Sequence, residues 1–250
     1  MSCPPARGTR PPGANDEQEA ARWVRGMFSR VASRYDFLNH LLSFNIDRYW
    51  RARTARRLRP ILQRSDSRVL DICCGTGDLL LALESERRGG GVIGCDFSHP
   101  MLVSAQRKIL QRRAQSVLVG ADALALPFPG GSLDLVTAAF GFRNLANYEK
   151  GLAEIRRVLK PSGAAAILEF SQPENPIVAA LYGFYSSKVL PAIGGAISGD
   201  RNAYRYLPES VRRFPNASGL AESMRAAGFS RVEYERMTGG IVALHIAWAS

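Results

Sequence analysis

The chain predicts an α/β fold built on one doubly wound, mostly parallel sheet, and three observations predict it. Asp71-Ile-Cys-Cys-Gly75-Thr76-Gly77-Asp78 stands directly behind the apolar run Val69-Leu70, so a strand ends in glycines that let the backbone turn tightly into a helix and approach a ligand. Asp96 closes the next apolar run roughly twenty residues later, where a carboxylate at a strand tip can accept hydrogen bonds from both ribose hydroxyls. Short apolar runs then alternate with helical patterns from 68 to about 171, the rhythm of a Rossmann-like sheet.

The elements follow in order. Residues 1–15, with Pro4-Pro5, Gly8 and Pro11-Pro12-Gly13, carry too little apolar surface to fold and read as a disordered tail ahead of a single domain at 16–250. Between 16 and 32, Trp23, Val24, Met27, Phe28 and Val31 recur at helical spacing, and 30–62 continues helical and aromatic. Strands are expected near 68–73, 91–96, 116–121, 133–139 and 164–170 with helices between them, and Pro161-Ser162-Gly163 is expected to break the fourth helix before the fifth strand. Residues 172–212 do not fit a strand. Their apolar stretches at 177–185 and 189–197, punctuated by Pro191, Gly194, Gly195 and Gly199, read as a helical insertion that closes over a greasy ligand, with a packing appendage or a dimer surface as the alternative. A helix at about 218–227 precedes strand-like runs at 231–237 and 240–248, whose junction Thr238-Gly239-Gly240 suits an antiparallel hairpin. That makes seven strands.

Composition agrees. At 250 residues and 46% hydrophobic content the chain can bury one large core. No stretch reaches ~18 uninterrupted apolar residues and no signal-peptide core opens the sequence, so a cytoplasmic chain is expected. Cys3, Cys73, Cys74 and Cys95 form no CxxC pair, three of them fall in expected buried strands, and no metal site is expected. The net charge of +11 is largely arginine. Arg48, Arg51, Arg53, Arg56, Arg57 and Arg59 crowd one helical segment whose other face carries Ile46, Trp50, Leu58 and Ile61. Such a helix can rest on an anionic membrane surface or on nucleic acid, or simply present a solvated face. His40, His99 and His245 read as structural, although His40 can reach the ligand crevice.

The third strand sharpens the ligand chemistry. It ends in Asp122-Ala123, and in a parallel sheet all strand C-termini line one crevice, so Asp71, Asp96 and Asp122 converge where ligands bind. A helix N-cap explains any one of these acids but not three at such spacings. Asp122 can accept from the exocyclic amine of adenine while the Ala123 amide donates to a ring nitrogen. A dinucleotide loop would carry glycine three residues after Gly77, where Leu80 stands, and Asp78 in the first helical turn would repel a diphosphate. It suits S-adenosylmethionine, whose charges are a sulfonium and an ammonium.

Longer motifs carry a resemblance. Tyr35-Asp36-Phe37-Leu38-Asn39-His40-Leu41-Leu42-Ser43-Phe44-Asn45-Ile46-Asp47-Arg48-Tyr49-Trp50 resembles the N-terminal signature of the ubiquinone/menaquinone biosynthesis C-methyltransferases, and Arg157 to Gly163 with Leu168-Glu169-Phe170-Ser171 resembles their second. Phe140-Gly141-Phe142-Arg143-Asn144 and Tyr204-Arg205-Tyr206-Leu207 with Ser210 are similar to further blocks. The resemblance implies a class I S-adenosylmethionine-dependent methyltransferase sheet with N-terminal helices and an insertion after strand five. It implies cofactor contacts at Gly75, Thr76, Gly77, Asp96, Asp122 and Ala123. Ala139 stands where the family carries a contacting serine, Asn45 where glycine is common, Ser162 where glycine is usual, and Leu38 where methionine is frequent. Asp47 stands where histidine is common, which removes the obvious imidazole base.

The implied reaction moves a methyl group from the sulfonium to a ring carbon of a polyprenyl quinol. That carbon is a weak nucleophile until an adjacent hydroxyl loses its proton, so a base or a phenolate-stabilising cation is wanted. Arg143 is expected to stabilise the phenolate and Asn144 to fix the ring; arginine is no base at neutral pH, so a water or Asp47 takes the proton. The expected substrate is demethylmenaquinol, with the benzoquinol precursor of ubiquinone as the alternative. A methyltransferase for another small molecule or RNA, and a non-catalytic component of a quinone-biosynthesis assembly, are the competing classes. No aromatic and basic single-strand platform is evident, so no nucleic-acid partner is expected; peripheral membrane contact and a homo-oligomer stay open.

Overall fold

The computed structural model describes residues 8–32, 35–189 and 201–250. A seven-stranded sheet has the order β3-β2-β1-β4-β5-β7-β6, with β1 Val69–Ile72, β2 Ile93–Asp96, β3 Val117–Gly120, β4 Leu133–Ala139, β5 Leu159–Phe170, β6 Phe229–Met237 and β7 Val242–Ala249. The first five are parallel, and β7 runs antiparallel between β5 and β6. Strand order reverses between β1 and β4, so the tips of β1, β2 and β4 open a crevice at the switch point. β1 and β4 are buried nearly end to end, as strands covered on both faces must be.

Two apolar layers cover the sheet. One face packs Phe142, Leu152 and Ile155 near and on α7 (Tyr148–Val158) with Leu220 and Met224 of α10 (Ala217–Ala226). The other packs Trp50, Ala55 and Leu58 from α3 (Ile46–Arg57) and its end, and Leu79, Leu80 and Leu83 from α5 (Asp78–Glu84). A third cluster joins Val24, Met27 and Val31 of α1 (Glu17–Val31) to Met101 of α6 (His99–Arg112) and Tyr206 of α9 (Arg201–Arg213). α1 starts where Asp16 accepts the Glu19 N–H at 2.7 Å and Glu19 accepts the Asn15 N–H at 2.8 Å. α2 (Tyr35–Leu42) follows, the short α4 (Arg59–Leu62) closes the N-terminal helices, and α8 (Pro176–Phe184) continues into a π-helical turn at Tyr185–Val189.

Three expectations need correction. Residues 8–15 are not a loose tail: the Thr9 N–H donates to Leu145 O at 2.8 Å, its hydroxyl pairs with that of Tyr206 at 2.6 Å, and Arg213 donates to Arg10 O at 2.8 Å. Gly8 lies so close to Ala146 that a Cβ there would meet its carbonyl oxygen at 1.9 Å. Residues 1–7 of the expected tail lie outside the described residues. Pro161-Ser162-Gly163 does not separate helix from strand; α7 has already ended at Val158, and the triplet lies inside β5, with Ser162 at φ 62° and a register shift opposite Leu133/Leu135. The insertion is helical where described, as α8, the π turn and α9, while 190–200, with Pro191, Gly194, Gly195 and Gly199, lies outside the described residues. The arginines of α3 do not form one basic face. Arg51 is buried against Asp47, Arg53 donates to Glu235 at 3.0 Å, Arg57 stands 3.5 Å from the same carboxylate, and beyond the helix Arg59 pairs with Glu86. Twelve residues of helix turn five closely spaced arginines to several sides, and acids from β6 and, for Arg59 beyond it, the α5–β2 connection meet them.

Candidate active site

At the end of β1 the chain turns through left-handed backbone at Cys73 (φ 49°), Gly75 (φ 56°) and Gly77 (φ 85°), conformations that glycine adopts without strain and cysteine does not. The Gly75 N–H donates to Asp96 Oδ2 at 2.9 Å, and Asp96 Oδ1 accepts the Ser98 N–H at 2.8 Å. Asp96 thus ties the glycine loop to the tip of β2. Burial pushes its carboxyl above the ordinary range, against the pull of those backbone donors. Asp122 Oδ1 accepts the Leu124 N–H at 2.9 Å, as a capping acid does.

These tips enclose a cavity with about 710 Å³ of unfilled space, its mouth included, lined by Gly75, Asp96, Asp122 and Ala123 together with Phe97, Met101, Leu124, Ala139 and Asn144. Four of the six expected cofactor residues are therefore brought together. Thr76 and Gly77 are not. The Thr76 hydroxyl donates to Asp36 on α2 and accepts from Lys108 Nζ at 3.1 Å, so it faces the N-terminal helices. Gly77 closes the turn by donating to Cys74 O at 2.9 Å and packs on α6, where a Cβ would lie 3.3 Å from that of Ala105. Asp71 sits behind the cavity. One of its oxygens accepts the Thr137 hydroxyl at 2.6 Å, the other is left without a hydrogen bond of normal geometry among the described residues, and burial pushes its carboxyl to about 7.

A second, larger cleft, with about 1700 Å³ of unfilled space, adjoins the first and shares Phe28 and Phe140 as walls. Its lining is mostly apolar: Met27 and Val31 of α1, Leu42, Phe44 and Trp50 around α2 and α3, Val178 and Leu181 of α8, and Leu207 and Val211 of α9. Asp47 and Arg143 bring charge into it. Arg143, on the turn after β4, is fully buried and fixed on several sides: Nη1 donates to Glu169 Oε1 at 2.8 Å and to Phe140 O, Nε to Ser210 Oγ at 3.3 Å, and the guanidinium lies 5.3 Å from the centre of the Phe170 ring. Asn144 lines the first cavity instead. Its Oδ1 accepts the Tyr206 hydroxyl at 3.0 Å while its buried Nδ2 has no hydrogen bond among the described residues.

Asp47 is bonded on every side, by His40 Nδ1 at 2.8 Å, Ser43 Oγ at 2.6 Å and Arg51. Burial alone would raise its carboxyl, but the Ser43 hydroxyl and the Arg51 and His40 charges outweigh burial and hold it below the usual range. The imidazole that the N-terminal signature lacks at position 47 is thus returned in space from position 40. His40 Nε2 in turn stands 3.7 Å from Asp78, which Lys108 also meets. His40, Asp47 and Asp78 could group around a cation, yet Arg51 and Lys108 already supply the positive charge. His99 is exposed, and His245 is buried on Ala217 O, where burial lowers it to about 4. Tyr182, in the cleft and raised by burial to about 12, was not anticipated. Glu169, Tyr206 and Ser210 lay inside the quoted motifs without an assigned role, and only their contacts with Arg143 and Asn144 give them one.

The sequence profile described as the ubiE/COQ5 methyltransferase family matches residues 14–249. The chain belongs to that family. It is 50% identical over 220 residues to a demethylmenaquinone methyltransferase of Thermus thermophilus, covering 88% of this chain and 98% of that one. To a ubiquinone/menaquinone biosynthesis C-methyltransferase UbiE of Paracoccus denitrificans it is 40% identical, covering 93% and 92%. The fold is that of class I S-adenosylmethionine-dependent methyltransferases: one from Thermotoga maritima superposes with a TM-score of 0.64 over 90% of this chain and 99% of that one, at 16% identity. This methyltransferase uses S-adenosylmethionine as its methyl donor and transfers the group to carbon. The cavity fits such a donor: Asp96 and Asp122 offer acceptors at strand tips, Gly75 lets backbone approach, and the Asn144 amide holds an unsatisfied donor.

Proposed function

We propose that the enzyme methylates a ring carbon of a polyprenyl quinol, demethylmenaquinol in menaquinone biosynthesis, with the benzoquinol precursor of ubiquinone as the alternative acceptor. The observation that carries this reading is the junction of an acid-tipped cavity with a larger apolar cleft across Phe28 and Phe140. The preference for the naphthoquinol is supported by the relatives at 50% and 43% identity, both named demethylmenaquinone methyltransferases.

S-adenosylmethionine supplies an electrophilic methyl group on a sulfonium. Asp96 would take the ribose hydroxyls, Asp122 and the Ala123 amide the adenine edge, and Gly75 would admit the backbone close to the ligand; Ala139 offers no hydroxyl there. Arg143 donates to the quinol oxygen as it becomes phenolate. Because Glu169 shares its charge, what it offers is a rigid donor fork more than a bare cation. Asn144 Nδ2 donates at the boundary with the cofactor and fixes the ring edge. The quinol hydroxyl proton leaves through a water to Asp47; because Asp47 is held below its ordinary range and grips the proton weakly, stabilisation of the phenolate by Arg143 carries the step. As the new C–C bond forms the methyl–sulfur bond breaks and neutral S-adenosylhomocysteine is left; the ring carbon then gives its own proton to water, and the restored aromatic phenolate takes back the hydroxyl proton, so one proton is released per methyl transferred. The segment 172–212 serves as the lid, its α8 and α9 forming one side of the cleft.

Labelled methyl donor offered with demethylmenaquinol and with the benzoquinol precursor tests this directly. Label in the naphthoquinol, with kcat/KM at least tenfold above the benzoquinol, is the expected result. Label recovered in tRNA overturns it, and tight cofactor binding with no transfer to either quinol would favour a non-catalytic component.

A further inference from the structure

Twelve large apolar side chains stand exposed among the described residues, and half of them lie on two helices beside the cleft mouth. Phe37, Leu41 and Phe44 recur at helical spacing along α2 and the turn after it; Ile177, Leu181 and Phe184 do the same along α8. Phe44 and Leu181 also line the cleft, the Phe44 ring lies 6.2 Å from that of Tyr185, and the Tyr185 hydroxyl donates to Leu42 O, so the two stripes form one rim. Left-handed backbone at Phe44 (φ 52°) and Asn45 (φ 61°) turns the chain outward here and leaves Phe44 74% exposed. Residues Pro176–Phe184 include no charged side chain, and next to the turn Arg48 is exposed.

We propose that this rim docks on an anionic phospholipid bilayer, its aromatic and aliphatic side chains in the acyl boundary and the cleft opening into the lipid. Charge selects that occupant. A second copy of the chain would bring the same net +11 and be repelled, whereas an anionic surface attracts it. Apolar side chains at helical spacing beside basic ones are what binds a helix to a membrane interface. The docking element is therefore the α2–α3 turn with α8, and not the arginine run of α3, whose Arg53 and Arg57 engage Glu235. The proposal rests on the quinol reading only for why the cleft should face lipid: a polyprenyl tail partitions there.

Flotation of the full chain with vesicles tests it. The protein should float with phosphatidylglycerol-containing vesicles and much less with pure phosphatidylcholine. Phe37→Glu with Phe184→Glu, neither residue lining the cleft, should lower the floating fraction at least tenfold at unchanged cofactor affinity. Leu110→Glu, on an exposed apolar residue of α6 outside the rim, should change nothing. If the double variant fails to fold by circular dichroism, Phe184→Ser alone tests the same stripe with a smaller loss. Absence of flotation, equal flotation of wild type and rim variants, or a sedimenting dimer that the rim variants split would each overturn the proposal. The assay contains no quinol, so a protein that floats but methylates no quinol removes the substrate reading and keeps the rim; one that methylates without floating does the reverse.

Discussion

Asp71 and Asp96, at the tips of the first two strands, have carboxyls pushed above their ordinary range by burial, whereas Asp47, buried at the cleft on α3, and half-buried Asp78, at the start of α5, are held below it. The difference is in their partners. Asp71 and Asp96 are met by a hydroxyl and by backbone N–H groups; Asp47 and Asp78 are met by Arg51, Lys108 and His40. The cavity keeps Asp96 as a carboxyl that a positive ligand would stabilise, with Asp71 behind it, and the neighbouring cleft has its Asp47 neutralised before any ligand arrives. A cationic cofactor and a neutral, greasy acceptor are thereby sorted to opposite sides of Phe28 and Phe140.

The sharpest test is pH. Folded Asp71 titrates near 7 rather than 3.8, so this group makes the folded state bind more protons and lose stability as pH rises from about 4 to about 7, whereas buried His245, lowered to about 4, gives the opposite slope over much of the same window. The loss attributable to Asp71 is on the order of 4 kcal/mol, read as the difference in urea midpoint between wild type and Asp71→Asn, which should shift in the variant's favour as pH rises across the window; a pH-independent difference breaks the contrast. Asp96→Ala should cost ~1.5–3 kcal/mol of cofactor affinity by calorimetry and leave the quinol KM nearly alone. Unaltered cofactor affinity would move the carboxylate's role elsewhere. On the cleft side the pattern should invert: Arg143→Lys keeps cofactor affinity and lowers kcat roughly ten- to a hundredfold, because lysine lacks the planar fork that spans Glu169, Phe140 O and Ser210. Wild-type turnover would make Arg143 purely structural. The smallest change is expected from exchanging a pair, His40→Asp with Asp47→His, which reverses their 2.8 Å bond without removing it. Its kcat should stay within about fivefold of wild type while either single exchange loses about tenfold or more; single variants as active as the double would dissolve the pair.

The same contrast explains what the amino acids reveal in advance. Strand order, the hairpin and the acid-tipped cavity rest on local signals, since Gly75, Asp96 and Asp122-Ala123 each sit within a few residues of an apolar run and backbone geometry carries them to one place. The cleft is different. Its walls come from segments as far apart as Met27 and Ile241, and no spacing within one segment says that Glu169 will meet Arg143 or that Tyr206 will hold Asn144. Thr76 shows the limit on the readable side: the glycine motif fixes its backbone, but the competition between Asp36 and Lys108 on one hand and the cavity on the other decides where its hydroxyl turns. The arginine run failed as a basic face for a related reason, because Glu235, which meets Arg53 and Arg57, and Glu86, which meets Arg59 beyond α3, lie in distant stretches of chain.

Thr9 links the N-terminal stretch to the chemistry through a short relay, its hydroxyl to Tyr206 and Tyr206 to the Asn144 amide. Trimming the first ten residues as dispensable would unhook that relay and free the Asn144 side chain to rotate. An enzyme shortened this way would keep its core and its melting behaviour yet show a blunted preference for the correct ring orientation, a defect that a purity gel or a thermal scan would miss.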